Sequence, residues 1–336
     1  MKVRMADVAK KLGISKAAVS LAINNKPGVS EETRCRVLNC MEQLQQKCNS
    51  IYEERIPEKV IRIELITHKE EIGPVIEMDL GSEVFDAFEE EARKLNYNIS
   101  FTTVYEDYES REKCIEECNM DVVEGVILFG TDMRAADRDF LKRINKPMVI
   151  YDYIVPEGDY SCVVIDARRT LELAVDELIK SGVTKTAYLA TTKDVFNFNE
   201  RRREFMNVMF DRGIPVEKSD IFPIGSNIAE IIGSAEEFLK ANNTYDGLIL
   251  ENYQVSAGVI KAIDRIGIDK MRDIKMVGID EIPKTFEGEL GLTQIKIPHK
   301  DRAVITMQLL KKEIDGDANT KMRIYAVPTL LKGKTT

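Results

Sequence analysis

Histidine is scarce: the 336 residues hold two, His68 and His299. The sequence also has no G-x-S-x-G, no P-loop and no H-E-x-x-H. The usual devices that activate a nucleophile, cradle a nucleotide or hold a catalytic zinc are therefore missing, and an enzyme is not expected. No apolar run reaches the roughly 18 residues that a membrane-spanning helix needs. The opening MKVRMADVAKK offers no apolar stretch fit for a signal peptide, so a cytoplasmic protein without membrane contact is expected. The six cysteines (35, 40, 48, 114, 118, 162) follow no paired spacing. Cys114-x3-Cys118 falls on an expected helix with no histidine nearby, so reduced thiols are expected, with no metal and no cofactor.

What is present begins with the first fifty residues. They carry nine Lys/Arg against four Asp/Glu, a net +5, while the whole chain is −9 and the remainder therefore −14. A basic head on an acidic body suits phosphate contact by the head alone. Within the head, residues 7–12 form a short amphipathic pattern stopped by Gly13, a residue that enters the left-handed region cheaply. Ser15 is placed to cap a second helix over 15–24, SKAAVSLAIN. Pro27-Gly28 breaks the chain, and Ser30 caps a third helix from Glu31 to about Gln46. Helix, glycine turn and short helix is the helix-turn-helix pattern.

From residue 60 the pattern changes to alternating strand and helix. Strands are expected at 60–66, 98–105, 125–129 and 147–151, then at 161–165, 186–190, 247–251 and 275–279, with helices between them. The near-continuous apolar run GVILF at 125–129 is the mark of a strand in a buried parallel sheet. Repeated β-α units of this length imply parallel sheets covered by helices on both faces.

Asp7-Val8-Ala9, Gly13, Ser15, Val19-Ser20, Asn24 and Val29-Ser30-Glu31-Glu32-Thr33-Arg34 together resemble the head of the lactose-repressor (LacI/GalR) family of bacterial transcription regulators. The body continues the resemblance through Val123–Phe129, Pro147–Ile150, Val164-Ile165-Asp166, Leu178–Gly182, Arg201-x3-Phe205, Asn252-x5-Gly258, Val277–Glu281 and Leu292-Thr293. It implies an α/β protein with a three-helix head and a two-lobed periplasmic-binding-protein-like body. The expected parts are a head at 1–46, a linker at 47–59 and a body at 60–336. Within the body, lobe 1 is expected at about 60–156 and 292–320, and lobe 2 at about 157–291 and 321–336.

The resemblance also implies function. The expected protein is a homodimeric repressor that reads double-stranded operator DNA as a pseudo-palindrome and is controlled by a small effector, a carbohydrate, bound between the lobes. Ser15, Lys16, Ala17, Ala18, Ser20, Leu21 and Asn24 are the expected DNA contacts. Lys16 suits guanine O6 and N7, Ala17 a thymine methyl, and Ser20 and Asn24 phosphates. Leu21, often Arg or His in the family, either touches a base or packs on the linker. The expected effector residues are His68, Asp152, Phe198, Arg201, Asn252, Tyr253 and Asp280. The linker departs from the family: Glu53, Glu54 and Glu58 stand where a small-residue helix enters the minor groove, so insertion there is not expected. Two other readings stand beside this one: a solute-binding protein of a transport system, which shares the body but has no use for a basic head, and a regulator answering to a protein partner.

Overall fold

A computed structural model describes residues 5–23, 28–30, 33, 34, 36, 37, 40, 59–68, 78–156, 158, 160–242, 244–267, 273–283 and 290–336. The chain divides into two compact units, Met1–Glu58 and Lys59–Thr336.

In the first unit, α1 spans Met5–Leu12 and α2 Lys16–Ile23. Gly13 sits at φ +66°, and the Ile14 N–H donates to the Ala9 carbonyl at 3.1 Å, which closes α1. This is the left-handed glycine stop that the sequence predicts. Ser15 Oγ accepts from the Ala18 N–H at 3.1 Å and caps α2. Ser30 Oγ likewise accepts from the Thr33 N–H at 3.2 Å. Residues 33, 34, 36, 37 and 40 are helical, while the rest of the expected 31–46 helix lies outside the described residues. Val8, Val19, Ala22, Val37 and Cys40 form the core, with Leu12, Ile14 and Val29 packed on it.

The second unit holds two sheets. Its strands are β1 (Val60–Ile66), β2 (Asn98–Val104), β3 (Val123–Phe129), β4 (Met148–Tyr151), β5 (Ser161–Ile165), β6 (Thr186–Ala190), β7 (Ile221–Pro223), β8 (Gly247–Leu250), β9 (Lys275–Ile279), β10 (Thr293–Lys296), β11 (Arg323–Ala326) and β12 (Thr329–Leu331). Its helices are α3 (Met78–Lys94), α4 (Tyr108–Cys118), α5 (Ala167–Lys180), α6 (Phe196–Asp211), α7 (Ile228–Ala241), α8 (Tyr253–Ile266) and α9 (His299–Asp315). The helix expected between β3 and β4 is a 3-10 helix, Ala135–Arg143.

The first sheet runs β11-β5-β4-β3-β1-β2 and the second β12-β10-β9-β8-β6-β7. All described pairings are parallel except β10 with β12. Each sheet thus has the doubly wound 2-1-3-4-5 order, with a crevice where the order reverses. The period of two is visible in burial. Ile127 and Phe129 of β3 pack with α3 and α9, whereas Val126 and Leu128 pack with α4. In the second sheet Leu248 and Leu250 pack with α7 and α8, whereas Ile249 packs with α5 and α6.

The strand partners correct the expected lobe boundaries. β5 lies beside β4 in the first sheet, with Ile150 opposite Cys162, and not in lobe 2. β10 joins the second sheet through β9, with Gln294 opposite Gly278, and not lobe 1. Residues 323–331 supply two strands, β11 in the first sheet and β12 in the second. The cause is physical. Alternation along the chain signals that a strand exists, but its neighbour is set by hydrogen bonds to residues far away in sequence. The chain therefore crosses between sheets after β5, after β10 and between β11 and β12.

Candidate functional site

Several strands end around one cavity of about 90 Å³. Thr131 follows β3, Tyr151 and Asp152 end β4, Asn252 and Tyr253 follow β8, and Asp280 follows β9. Asn197, Phe198 and Arg201 reach it from the start of α6, and His299 from the start of α9. The carboxyl ends of both sheets meet there, which is where open α/β sheets hold ligands.

Two of the residues occupy matching positions. Asp152, directly after β4, has φ 68°, and Asp280, directly after β9, has φ 77°. Aspartate enters this region more readily than most side chains, and residues held there cluster at ligand sites. Asp152 accepts from Thr131 Oγ1 at 3.0 Å and from Arg302 Nη2. The fully buried Arg302 guanidinium lies 4.3 Å from the centre of the Tyr151 ring. Asp280 Oδ1 stands 2.9 Å from His299 Nε2 and accepts from the Glu281 N–H at 3.0 Å. Burial works against the His299 imidazolium, but the adjacent Asp280 charge and its hydrogen bond outweigh it and raise the histidine. Burial likewise works against the Asp280 carboxylate, but His299, Arg201 and the Glu281 N–H hold it below the usual carboxylate range. Each group thus favours the charged form of the other, in a buried setting where such pairing is needed.

The three consecutive arginines on α6 separate into three environments. Arg201 is buried, lines the cavity, donates from Nη1 to the Glu251 carbonyl at 2.7 Å and lies 5.7 Å from the Phe198 ring centre. Arg202 grips the buried Glu251 carboxylate from Nε at 2.7 Å and from Nη2 at 2.8 Å. Arg203 is exposed and pairs with Glu200 and Glu204. A solvated basic face therefore does not describe Arg201. Asn252 caps α8, its Oδ1 accepting from the Val255 N–H at 2.8 Å, which leaves the amide nitrogen outside the cap.

Of the expected effector residues, Asp152, Phe198, Arg201, Asn252, Tyr253 and Asp280 converge on the cavity and His68 does not. His68 is buried on Asp137, with Nε2 3.1 Å from Oδ2, and Asp137 also receives Arg111. The 3-10 helix Ala135–Arg143 carries Asp137 and supplies a structural partner for this histidine. Sequence reasoning missed His299, Thr131 and Asn197. Thr131 and Asn197 follow the ends of β3 and β6, a signal that could have been used; nothing local marks His299. Tyr151, one of the aromatics near the cleft-facing loops, lines the cavity, and among the described residues its buried hydroxyl has no hydrogen-bond partner.

In the head, Lys16 is exposed in the first turn of α2, and Ala18 and Ser20 are half-buried. Leu21 is half-buried against the turn: its Cδ1 lies 3.2 Å from the place a Cβ on Gly28 would take. Asn24 and the linker 47–58 lie outside the described residues, as does the Ala17 side chain.

The profile of the bacterial regulatory proteins of the lacI family matches residues 4–49, and that of the periplasmic binding protein-like domain matches 175–336. The chain is similar to LacI-family regulators. Its LacI-family likeness extends over nearly the whole length. The chain is 26 % identical to the ribose operon repressor of Halalkalibacterium halodurans across 97 % of this chain and 94 % of that protein. Its fold matches that of the transcriptional regulator CelR in complex with cellobiose, with a TM-score of 0.71, 17 % identity and coverage of 99 % and 100 %. It also matches the lac repressor dimer bound to operator and the anti-inducer ONPF, with a TM-score of 0.67, 18 % identity and coverage of 100 % and 99 %. Among the described residues, no helix is long and apolar enough to cross a membrane.

Proposed function

We propose that this chain is a transcriptional repressor that reads a pseudo-palindromic operator as a homodimer and is controlled by a sugar or sugar derivative held between its lobes. The observation that carries the effector reading is the cavity itself. It presents a guanidinium, two amides, two phenols, an imidazole and two carboxylates around aromatic faces. Donors, acceptors and ring faces in one small space suit a polyhydroxyl ring. The ribose repressor and the cellobiose complex among its relatives belong to the same chemistry.

One short recognition helix spans too little DNA for specificity, which is why two copies are needed. Lys16, exposed just inside the Ser15 cap, is the proposed base reader. Lys16→Ala should cost about 1–3 kcal/mol at the operator and relax base preference at one position per half-site. Binding to a panel of single-base variants checks this, and an equal loss on every sequence would make Lys16 a phosphate contact. Calorimetry of the full chain against pentoses, hexoses, disaccharides and their phosphates tests the effector. One class should give saturable heat and shift operator affinity by about 5- to 150-fold. No heat from any of them would favour a regulator answering to another kind of partner.

A further inference from the structure

A second polar cluster lies on the opposite face of the first sheet, away from any residue of the cavity. Strand β1 alternates Ile61 and Ile63, packed with α3 and α9, with Arg62 and Glu64, which turn toward α4. There Glu64 is completely buried and meets Cys114 and Cys118 from the inner face of α4. One donor atom from each of the three lies within 4.8 Å of the others. Cys114 Sγ and Cys118 Sγ are 3.9 Å apart, and Cys118 Sγ is 3.6 Å from Glu64 Oε1. Tetrahedral zinc, with bonds of about 2.3 Å to sulfur and 2.0–2.2 Å to oxygen, sets sulfur–sulfur and sulfur–oxygen edges of about 3.8 and 3.5 Å. The Cys114–Cys118 and Cys118–Oε1 separations are already close to those edges.

A second observation points the same way. Glu64 Oε1 is held by Arg62 Nε at 2.6 Å, but Oε2 is buried without a hydrogen-bond partner. Such an orphan oxygen is costly unless something else takes it up. We propose that Glu64, Cys114 and Cys118 form a binding site for a thiophilic divalent cation of the zinc class, with water as the fourth ligand. Binding converts two thiols to thiolates and releases both protons to solvent. A divalent ion and the Arg62 guanidinium then stand against two thiolates and the Glu64 and Glu117 carboxylates, a net charge of −1. Arg62 is the orienting partner, since it also donates to Thr102 at 2.7 Å and to Glu117 at 2.6 Å, and ligating carboxylates are commonly held this way. The bound ion would clamp α4 to β1. The expectation of plain thiols rested on the two cysteines alone, because Glu64 stands 54 residues before Cys118.

The test uses the full chain, reduced without thiols, stripped with a chelator and dialysed against Zn²⁺, then titrated separately with Cd²⁺. We expect one retained zinc per chain, a thiolate-to-cadmium charge-transfer band, and a raised melting temperature. The Cys114→Ser/Cys118→Ser double variant should lose all three, Glu64→Gln should bind at least about tenfold more weakly, and Cys162→Ser should keep them. If Glu64→Gln fails to fold, the contrast between the double variant and Cys162→Ser still decides. No band in the folded wild-type chain, or a band that survives in the double variant, overturns the proposal.

Discussion

The two lobes place an aspartate at the same topological point, one residue beyond the fourth strand in chain order of each sheet, and give it different cations. Asp152 is held by Arg302 and Asp280 by His299. Both carboxylates are buried, both have positive φ, and both line the cavity. Burial lowers Arg302 from its usual value, but an arginine starts so high that it stays charged. His299 starts near 6.5 and is raised by Asp280, so a rise in pH can take its proton. One lobe therefore carries a permanent pair and the other a pair that pH can dissolve. Both cations come from one short stretch, the start of α9, so the crossing segment serves both lobes.

The largest test of this contrast is Arg302→Leu, which strands the Asp152 charge in the core. It should cost about 3–5 kcal/mol of stability in urea denaturation. Adding Asp152→Asn should recover much of that, because the cost is an unpaired charge and not lost volume. A single-variant loss within the usual surface range would show that Asp152 has another partner.

Arg201→Ala comes next. A charged hydrogen bond is worth about 1.5–3 kcal/mol, so effector affinity should fall by at least about tenfold while operator binding without effector is unchanged. An unaltered effector titration would remove Arg201 from the site.

The smallest effect is the pH dependence of the second lobe. His299 is raised in the folded state, so its contribution is fully present below the unfolded value near 6.5 and is lost as pH rises through the folded value. Asp280 is lowered, so its contribution is present above about 3.8 and is lost as pH falls through the folded value. Stability of the body should therefore decline on the alkaline side through His299. His299→Gln should flatten that decline and leave the Arg302 pair untouched. A wild-type profile that matches the variant's would mean that the histidine is not charged in the fold. Arg201 and Glu281 act on the same group in opposite senses, so the Arg201→Ala variant should move the decline to higher pH.

Much of the head and the strand–helix rhythm was legible because their signals are local. Gly13, Ser15 and Ser30 each act on backbone groups within a few residues, and α7 runs over Ile228–Ala241 as its apolar spacing predicts. The fourfold convergence of Arg201, Asn252, Asp280 and Asp152 was legible only through family resemblance, since these residues lie far apart in sequence and nothing local joins them.

By itself the sequence determined the helix-turn-helix head, the β-α alternation of the body and the residue types at most of the cavity. Caps, turns and apolar periodicity act over one or two turns of chain, so they can be read from neighbours. Only the tertiary structure decided which sheet receives β5, β10, β11 and β12, that His68 serves Asp137 and His299 serves Asp280, and that Glu64 meets Cys114 and Cys118. Each of these is a pairing across tens of residues. Strand register, burial and the packing of α4 and α9 on the first sheet create them together, and no short stretch of chain contains that information.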